Sequence, residues 1–226
     1  FVSMDPRTGL IRAMVGGFDF GRNKFNHVTQ AWRQPGSSFK PFIYSAALEK
    51  GFTPATVVND APLFFDAGTT GGQAWEPKNY DGKFEGPMPL RTALAKSKNM
   101  VSIRLMQAVG GSAAQEWVSR FGFEADKHPP YLTMALGAGS TNPWQMSEAY
   151  AVFANGGYRI TPYYIERIQD ERGNLLAQAK PERAGEGAQR VIDARNAFIM
   201  TTLMQDVIRQ GTGMRAMELK RRDLAG

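Results

Sequence analysis

The residue pattern predicts an α+β domain. Its mainly antiparallel sheet is built from both chain ends, flanked by helices and interrupted by an inserted helical subdomain. Three observations carry this. Strand-like runs occupy residues 1–15 and return over 158–178; helical patterns fill the stretch between them; and a last helical run over 194–209 follows the second set of strands. Strands near both ends of one domain meet in one sheet only if the helical middle is an insertion. The 226 residues suffice for one large domain or two small ones with a buried core. The 42% hydrophobic and 21% charged content is that of a soluble globular protein.

Residues 1–4, the turn Asp5-Pro6-Arg7-Thr8-Gly9 and residues 10–15 read as a hairpin closed by Gly16-Gly17. Residues 18–32 form a polar loop containing aromatics. A helix follows over 42–49, ended by Lys50-Gly51. Residues 52–89 are rich in Pro, Gly and aromatics and poor in period. Within them, Asp66-Ala67-Gly68-Thr69-Thr70-Gly71-Gly72 reads as a mobile loop and Trp75-Glu76-Pro77-Lys78-Asn79-Tyr80 as an ordered surface segment. A long irregular connection in a compact domain is often part of a binding site. Helices are predicted over 90–95, 100–109 and 112–121, the last capped by Ser112 and stopped by Gly122. Asn142-Pro143 is a cap followed by a first-turn proline, opening a helix that Asn155-Gly156-Gly157 ends. Strands are predicted over 158–161, 163–169 and 174–178. Asp193 then caps the last helix, and Gly211-Thr212-Gly213 terminates it.

Composition excludes several chemistries. With no cysteine there is neither a disulfide nor thiolate catalysis. His27 and His128 lack metal-ligand spacing, which argues against a zinc site or a Ser-His-Asp triad, and no cofactor motif is present. No apolar run approaches the roughly 20 residues of a membrane span. The formal charge of +6 suggests an anionic partner, either nucleic acid or a substrate carrying carboxylates. The charge is scattered except at Lys220-Arg221-Arg222, with no basic stripe interleaved with aromatics, so nucleic acid is disfavoured.

The chemistry centres on Arg33-Gln34-Pro35-Gly36-Ser37-Ser38-Phe39-Lys40-Pro41. Residues three apart on a helix share a face, so Ser37 and Lys40 place a hydroxyl within reach of an amine. An alcohol becomes a good nucleophile when a base takes its proton. Lysine serves as that base when burial or a second cation lowers its pKa from about 10.4. Such a pair is the core of a serine acyl-transfer enzyme. For S-x-x-K alone, a capping serine and a surface lysine explain the pattern better, although Ser37 is the one serine here with lysine three residues on.

An enzyme of this kind also needs a proton carrier for the leaving group and a hold on the substrate, which a hydroxyl and a carboxamide two residues apart can supply. Two S-x-N sequences occur. In Ser140-Thr141-Asn142 the asparagine is explained as the cap before Pro143. Ser97-Lys98-Asn99 falls between two helices, with Lys98 expected to face outward, and Ser97 and Asn99 are the preferred pair.

With these motifs the chain resembles the transpeptidase domain of class A, bifunctional penicillin-binding proteins. Gln34 to Pro41 resembles the family's nucleophile segment. Ala93-Leu94-Ala95-Lys96-Ser97-Lys98-Asn99, Tyr150-Ala151-Val152-Phe153-Ala154-Asn155-Gly156-Gly157, Gly211-Thr212-Gly213 and the opening hairpin through Gly17 also match. The resemblance covers essentially all of residues 1–226. The family's third motif, K-T-G or K-S-G on an edge strand, is absent, since Gly211-Thr212-Gly213 follows Gln210 and reads as a helix stop. Leu224-Ala225-Gly226 resembles the residues immediately before that motif, which implies a partial domain lacking the last strand and unable to complete the reaction unaided.

The resemblance implies Ser37 as acylated nucleophile, Lys40 as its base, Ser97 as proton shuttle and Asn99 as the group binding the substrate amide. The Ser37 backbone N–H would be half of an oxyanion hole. It implies a peptidoglycan D,D-transpeptidase acting on D-Ala-D-Ala stem peptides and acylated by β-lactams, needing neither metal nor cofactor. It also implies a location on the periplasmic face of the inner membrane, with an anchor and a glycosyltransferase domain upstream. Rival readings are a β-lactamase or carboxypeptidase on the same fold, a β-lactam sensor and a polyanion-binding module. No segment resembles the glutamate-bearing loop of a class A β-lactamase.

Overall fold

The computed structural model describes residues 1–70 and 72–226, and of Thr69 and Thr70 the backbone alone. The elements run β1 (Val2–Met4), β2 (Ile11–Met14), a 3₁₀ turn (Gly36–Phe39), α1 (Lys40–Glu49), β3 (Val57–Asp60) and α2 (Ala67–Thr70). They continue with β4 (Gly86–Pro89), α3 (Leu90–Ala95), α4 (Asn99–Val109), α5 (Gly111–Ser119) and 3₁₀ turns at Ala125–Lys127 and Leu132–Leu136. Last come α6 (Pro143–Ala154), β5 (Arg167–Gln169), β6 (Leu175–Gln178), α7 (Ala194–Gln210) and a 3₁₀ turn at Met214–Leu219. Helices mixed with antiparallel strand pairs give the predicted class. Part of the segment read as a mobile loop is the short α2, and Gly71 in it lies outside the described residues.

The chain forms two compact units. The first comprises Phe1–Gln34, Ser119–Lys127 and Ser140–Phe198, the second Pro35–Val118, His128–Gly139 and Ile199–Gly226. In the first, β1 and β2 pair antiparallel with Val2 opposite Met14. The Asp5 carboxylate closes the turn by accepting the N–H groups of Arg7 at 2.9 Å and Thr8 at 3.3 Å. The early and late strand regions meet at one parallel bridge, Leu10 beside Tyr163, in which Ile11 N–H donates to the Tyr163 carbonyl at 2.8 Å. The late strands are shorter than predicted. Tyr158 and Tyr163 make isolated bridges, and the regular ladder is confined to β5 and β6, whose side chains are exposed throughout. Without a buried face, alternation in sequence has little to hold a longer strand in register.

α6 starts as predicted. Asn142 has an extended backbone, and its Oδ1 accepts the Gln145 N–H at 2.8 Å, while Pro143 takes the first helical position, where an N–H has no use. At the other end Asn155 Oδ1 accepts the N–H groups of Gly157 and Tyr158. α6 packs on β1 and buries Ala149, Val152 and Phe153.

In the second unit α1 is apolar nearly all round, and residues 40–47 are all buried. It packs on α4, which in turn packs on the Leu132–Leu136 turn. Phe39, Phe42, Ile43, Met100, Ile103 and Met106 form the centre of this core. β3 and β4 pair antiparallel, Val57 opposite Pro89 and Asn59 opposite Pro87. The prolines concealed β4 in the sequence, because proline cannot donate to a ladder. Each strand of a two-stranded ladder has one unpaired edge, and there a missing N–H costs nothing. Gly211 ends α7 as predicted and sits so close to α3 that a Cβ would fall 2.1 Å from the Ala95 carbonyl oxygen.

Replacing Asn142 by Ala removes the cap of α6, and a loss of about 0.5–2 kcal/mol is expected in chemical denaturation. The variant should still fold, with a far-UV circular dichroism spectrum like that of wild type.

Candidate active site

Every residue of the preferred pairs, Ser37 with Lys40 and Ser97 with Asn99, belongs to the second unit. The turn that carries Ser37 begins at Gly36, which adopts φ +61°. Its neighbour across the turn is Gly137, also left-handed at φ +70°, and Gly36 N–H donates to the Gly137 carbonyl at 3.3 Å. A Cβ on Gly137 would lie 2.2 Å from the Gly36 carbonyl oxygen, so only glycine lets these two backbones approach. Ser37 and Ser38 follow in the 3₁₀ turn, both exposed. Their hydroxyls differ. Ser38 Oγ donates to the Pro35 carbonyl at 2.7 Å, whereas Ser37 Oγ makes no hydrogen bond among the described residues.

Lys40 opens α1, and although charged it is only 1% exposed. Its Nζ donates to Ser97 O at 2.7 Å, Ser97 Oγ at 3.0 Å and Asn99 Oδ1 at 2.7 Å. Three N–H bonds find three uncharged acceptors. Sequence spacing places Ser37 within reach of Lys40, but the amine is turned toward the 97–99 segment. Burial brings the lysine pKa down to about 8 from its ordinary 10.5. The ammonium is therefore still the majority form at neutral pH, and the neutral amine gains quickly just above it.

Ser97 lies between α3 and α4 with φ +55°, a left-handed backbone that a serine adopts only under constraint. Ser97 N–H donates to Leu94 O, Lys98 N–H to Ala93 O, and the Ser97 carbonyl receives Lys40. Asn99 is the first residue of α4. Its Oδ1 faces Lys40 and its Nδ2 donates to Lys78 O at 2.8 Å.

Lys98 does not face outward. It is 2% exposed, and its Nζ lies 2.9 Å from Glu85 Oε1, 3.0 Å from Asp81 Oδ2 and 3.6 Å from Asp60 Oδ2. Side chains do alternate through 97–99. The side away from Lys40, however, is covered by β3 and by the segment leading into β4, which bring carboxylates and not solvent. Burial alone would lower the Lys98 pKa, but the bonds to Glu85 and Asp81 outweigh it and raise it. Lys98 thus remains a cation whose charge is compensated locally.

The Trp75 to Tyr80 stretch is likewise not a surface segment throughout, since Pro77 and Asn79 are buried. Asn79 Oδ1 accepts the Asn99 N–H at 2.8 Å, while its Nδ2 donates to Asp60 Oδ1 at 2.7 Å. Asp60 is fully buried. Neither residue stands out in the sequence, because the elements that bring them under α4 are non-local. The competing S-x-N sequence behaves as its local reading predicts, with Asn142 engaged as a cap in the first unit. Among the described residues no cluster of three or more His, Cys, Asp or Glu could hold a metal, and no helix is long and apolar enough to cross a membrane.

Known proteins share this arrangement of sequence and fold. Residues 1–226 match the penicillin-binding protein transpeptidase domain. Penicillin-binding protein 1A of Neisseria lactamica is 52% identical over 225 residues, covering all of this chain and 28% of the relative. Penicillin-binding protein 1A of Pseudomonas aeruginosa is 45% identical over 270 aligned residues, again covering the whole chain and 33% of the relative. The chain thus spans about a third or less of these curated relatives. The crystal structure of penicillin-binding protein 1A from Haemophilus influenzae superposes with a TM-score of 0.94 at 39% identity, over 99% of this chain and 38% of that one. Penicillin-binding protein A of Mycobacterium tuberculosis, solved as an imipenem acyl-enzyme complex, shares the fold at TM-score 0.79 and 21% identity, over 92% of this chain and 57% of that one. With the match extending from the opening hairpin through the Ser37 segment to Gly226, the chain belongs to the penicillin-binding protein transpeptidase domain family.

Proposed function

We propose that this chain carries the acyl-transfer residues of a peptidoglycan D,D-transpeptidase, with Ser37 as nucleophile, Lys40 as base, Ser97 as proton relay and Asn99 as the group that binds the substrate amide. The observation that supports it most is a lysine 1% exposed, three residues after a serine, with its amine held on the hydroxyl and carboxamide of the S-x-N segment. The neutral amine of Lys40 takes the Ser37 proton as Oγ attacks the carbonyl carbon of the penultimate D-Ala. Ser97 Oγ, in contact with Nζ, passes that proton to the nitrogen of the departing D-Ala as the peptide bond breaks. An amine of a neighbouring stem peptide then attacks the ester, loses its proton back along the same path, and frees Ser37. The backbone N–H of Ser37, at a helix start where donors lack internal partners, faces the developing oxyanion. A β-lactam, resembling the D-Ala-D-Ala end, leaves a long-lived ester on Ser37. The location that goes with this chemistry is the periplasmic face of the inner membrane, where the stem peptides are.

Nucleophile identity is tested in the full-length protein carrying this sequence, by intact mass after incubation with a fluorescent penicillin. Wild type should hold one persistent adduct, Ser37→Ala none, and Ser38→Ala one, because the Ser38 hydroxyl is already committed to Pro35. Labelling that survives Ser37→Ala removes the mechanism. Rapid turnover of the adduct would indicate a β-lactamase.

The base is tested by pH. Burial lowers the Lys40 pKa, and the active form is the neutral one, so the acylation rate should rise with pH through about 8 and level above it. Below that value the rate should fall about tenfold per pH unit, following the neutral fraction. Lys40→Arg retains the charge but cannot deprotonate in this range, so a loss of about 10²–10⁴-fold is expected. Wild-type acylation by the arginine variant would leave Lys40 with an orienting role only.

A further inference from the structure

α4 begins at a difficult place. Its N-cap position is Lys98, whose side chain has no acceptor and makes no cap hydrogen bond. Yet the first turn carries Asn99, whose Oδ1 is 2.7 Å from the Lys40 amine. The missing cap comes from 20 residues upstream. Asn79 is 4% exposed, and its Oδ1 accepts the Asn99 N–H at 2.8 Å and the Met100 N–H at 3.4 Å. Its Nδ2 donates to Asp60 Oδ1 and to the Lys83 carbonyl, each at 2.7 Å. Every donor and both acceptor directions of the carboxamide are used. The other Asp60 oxygen accepts the Glu85 N–H at 3.0 Å and faces Lys98 at 3.6 Å. The Asn79 carboxamide therefore bridges β3 and the start of α4, behind Asn99.

We propose that Asn79 is a positioning residue: by capping α4 from outside and anchoring on Asp60, it holds the Asn99 carboxamide against the Lys40 amine. It touches neither amine nor substrate and acts through Asn99. Several features support this over a purely structural role. The cap falls on the very residue whose side chain contacts Lys40. The preceding Ser97 is held left-handed, so the segment has a strained backbone to restrain. Asparagine is also the side chain that can accept from a helix N-terminus and donate to a buried carboxylate at once. Its catalytic consequence rests on the acylation reading above, but its geometric content does not.

The test uses the full-length protein with Asn79→Ala. Hydrogen–deuterium exchange of residues 97–102 should quicken, while residues 103–109 keep their protection. Fluorescent-penicillin acylation should slow by about 10- to 100-fold, as for a reacting group displaced by about an ångström. A double-mutant cycle with Asn99→Ala separates positioning from general weakening. If Asn79 acts through Asn99, the double variant acylates no more slowly than Asn99→Ala alone; multiplied losses overturn the proposal. Unchanged exchange at residues 97–102, or acylation by Asn79→Ala within twofold of wild type, also overturns it. Faster exchange in a protein whose wild type never labels would leave the clamp standing and remove the acylation reading.

Should the alanine variant not fold, Asn79→Asp serves. The new carboxyl faces Asp60 from β3, with the ammonium of Lys98 and its partners Asp81 and Glu85 beyond, and Lys40 across Asn99. Two adjacent buried carboxylates raise one pKa, and the protonated aspartic acid keeps the link between Asp60 and Asn99 by donating to the first and accepting from the second, while the Lys83 carbonyl loses its donor. Its acylation rate relative to wild type at the same pH should therefore climb as pH falls, because the shared proton is pushed above the ordinary carboxylate range. A flat or falling ratio overturns the proposal.

Discussion

The second unit is organised by the need to satisfy one buried amine. A lysine cannot be taken from water without acceptors for its three N–H bonds. Lys40 meets this need with Ser97 O, Ser97 Oγ and Asn99 Oδ1, all from one three-residue segment. That choice dictates much else. The segment must turn its carbonyl and its side chain the same way, which it does by holding Ser97 at φ +55°. Such a backbone costs of order 1–3 kcal/mol and persists only where its surroundings over-determine it. Here they do, through the Lys40 contact, the bonds of residues 97 and 98 back to α3, and the Asn79 cap.

Lys40 and Lys98 show how partner chemistry decides whether burial lowers a lysine's pKa. They are exposed to nearly the same extent, 1% and 2%. Lys40 has only neutral acceptors, so desolvation dominates and the pKa falls to about 8. Lys98 has Asp60, Asp81 and Glu85, so its ammonium is favoured and the pKa rises. One lysine is held where it can exchange a proton near physiological pH, the other where it cannot. The carboxylates also keep the Lys98 charge from acting on Lys40. Among the described residues, burial is the cause of the low value at Lys40.

What the sequence disclosed and what it hid follow the range of the interactions. Local devices were legible: the Asn142-Pro143 cap, the Gly211 stop, the Gly51 end of α1 at φ +92°, and the Asp5 turn, each set within a few residues. The S-x-x-K and S-x-N motifs were legible as two segments, and the structure brings Lys40 onto Ser97 and Asn99. The direction of the Lys40 amine was not, because helical spacing alone points it at Ser37 while its acceptors lie 57 and 59 residues away. Lys98 was misplaced for the same reason. Alternation fixes which side a residue faces but not what covers that side. β4 was hidden because two of its four residues are proline, and Asn79 because a remote cap has no spacing rule.

The turn that carries Ser37 adds a constraint of another kind. Gly36 and Gly137 are both left-handed and in backbone contact, and any side chain at 137 would overlap the carbonyl of the residue before Ser37. Position 137 thereby fixes where the 3₁₀ turn begins, and the turn fixes Ser37 relative to Lys40, because the Lys40 N–H bonds the Ser37 carbonyl. The serine is thus held by its backbone, while its hydroxyl makes no hydrogen bond among the described residues. Ser38, one residue on, has the opposite arrangement, with its hydroxyl tied to Pro35. A nucleophile needs the first state. Attack requires a fixed Cα position and an Oγ that sheds no existing hydrogen bond on turning toward a carbonyl carbon. The hydrogen bond that Ser38 already has therefore favours Ser37 for the proposed nucleophile role.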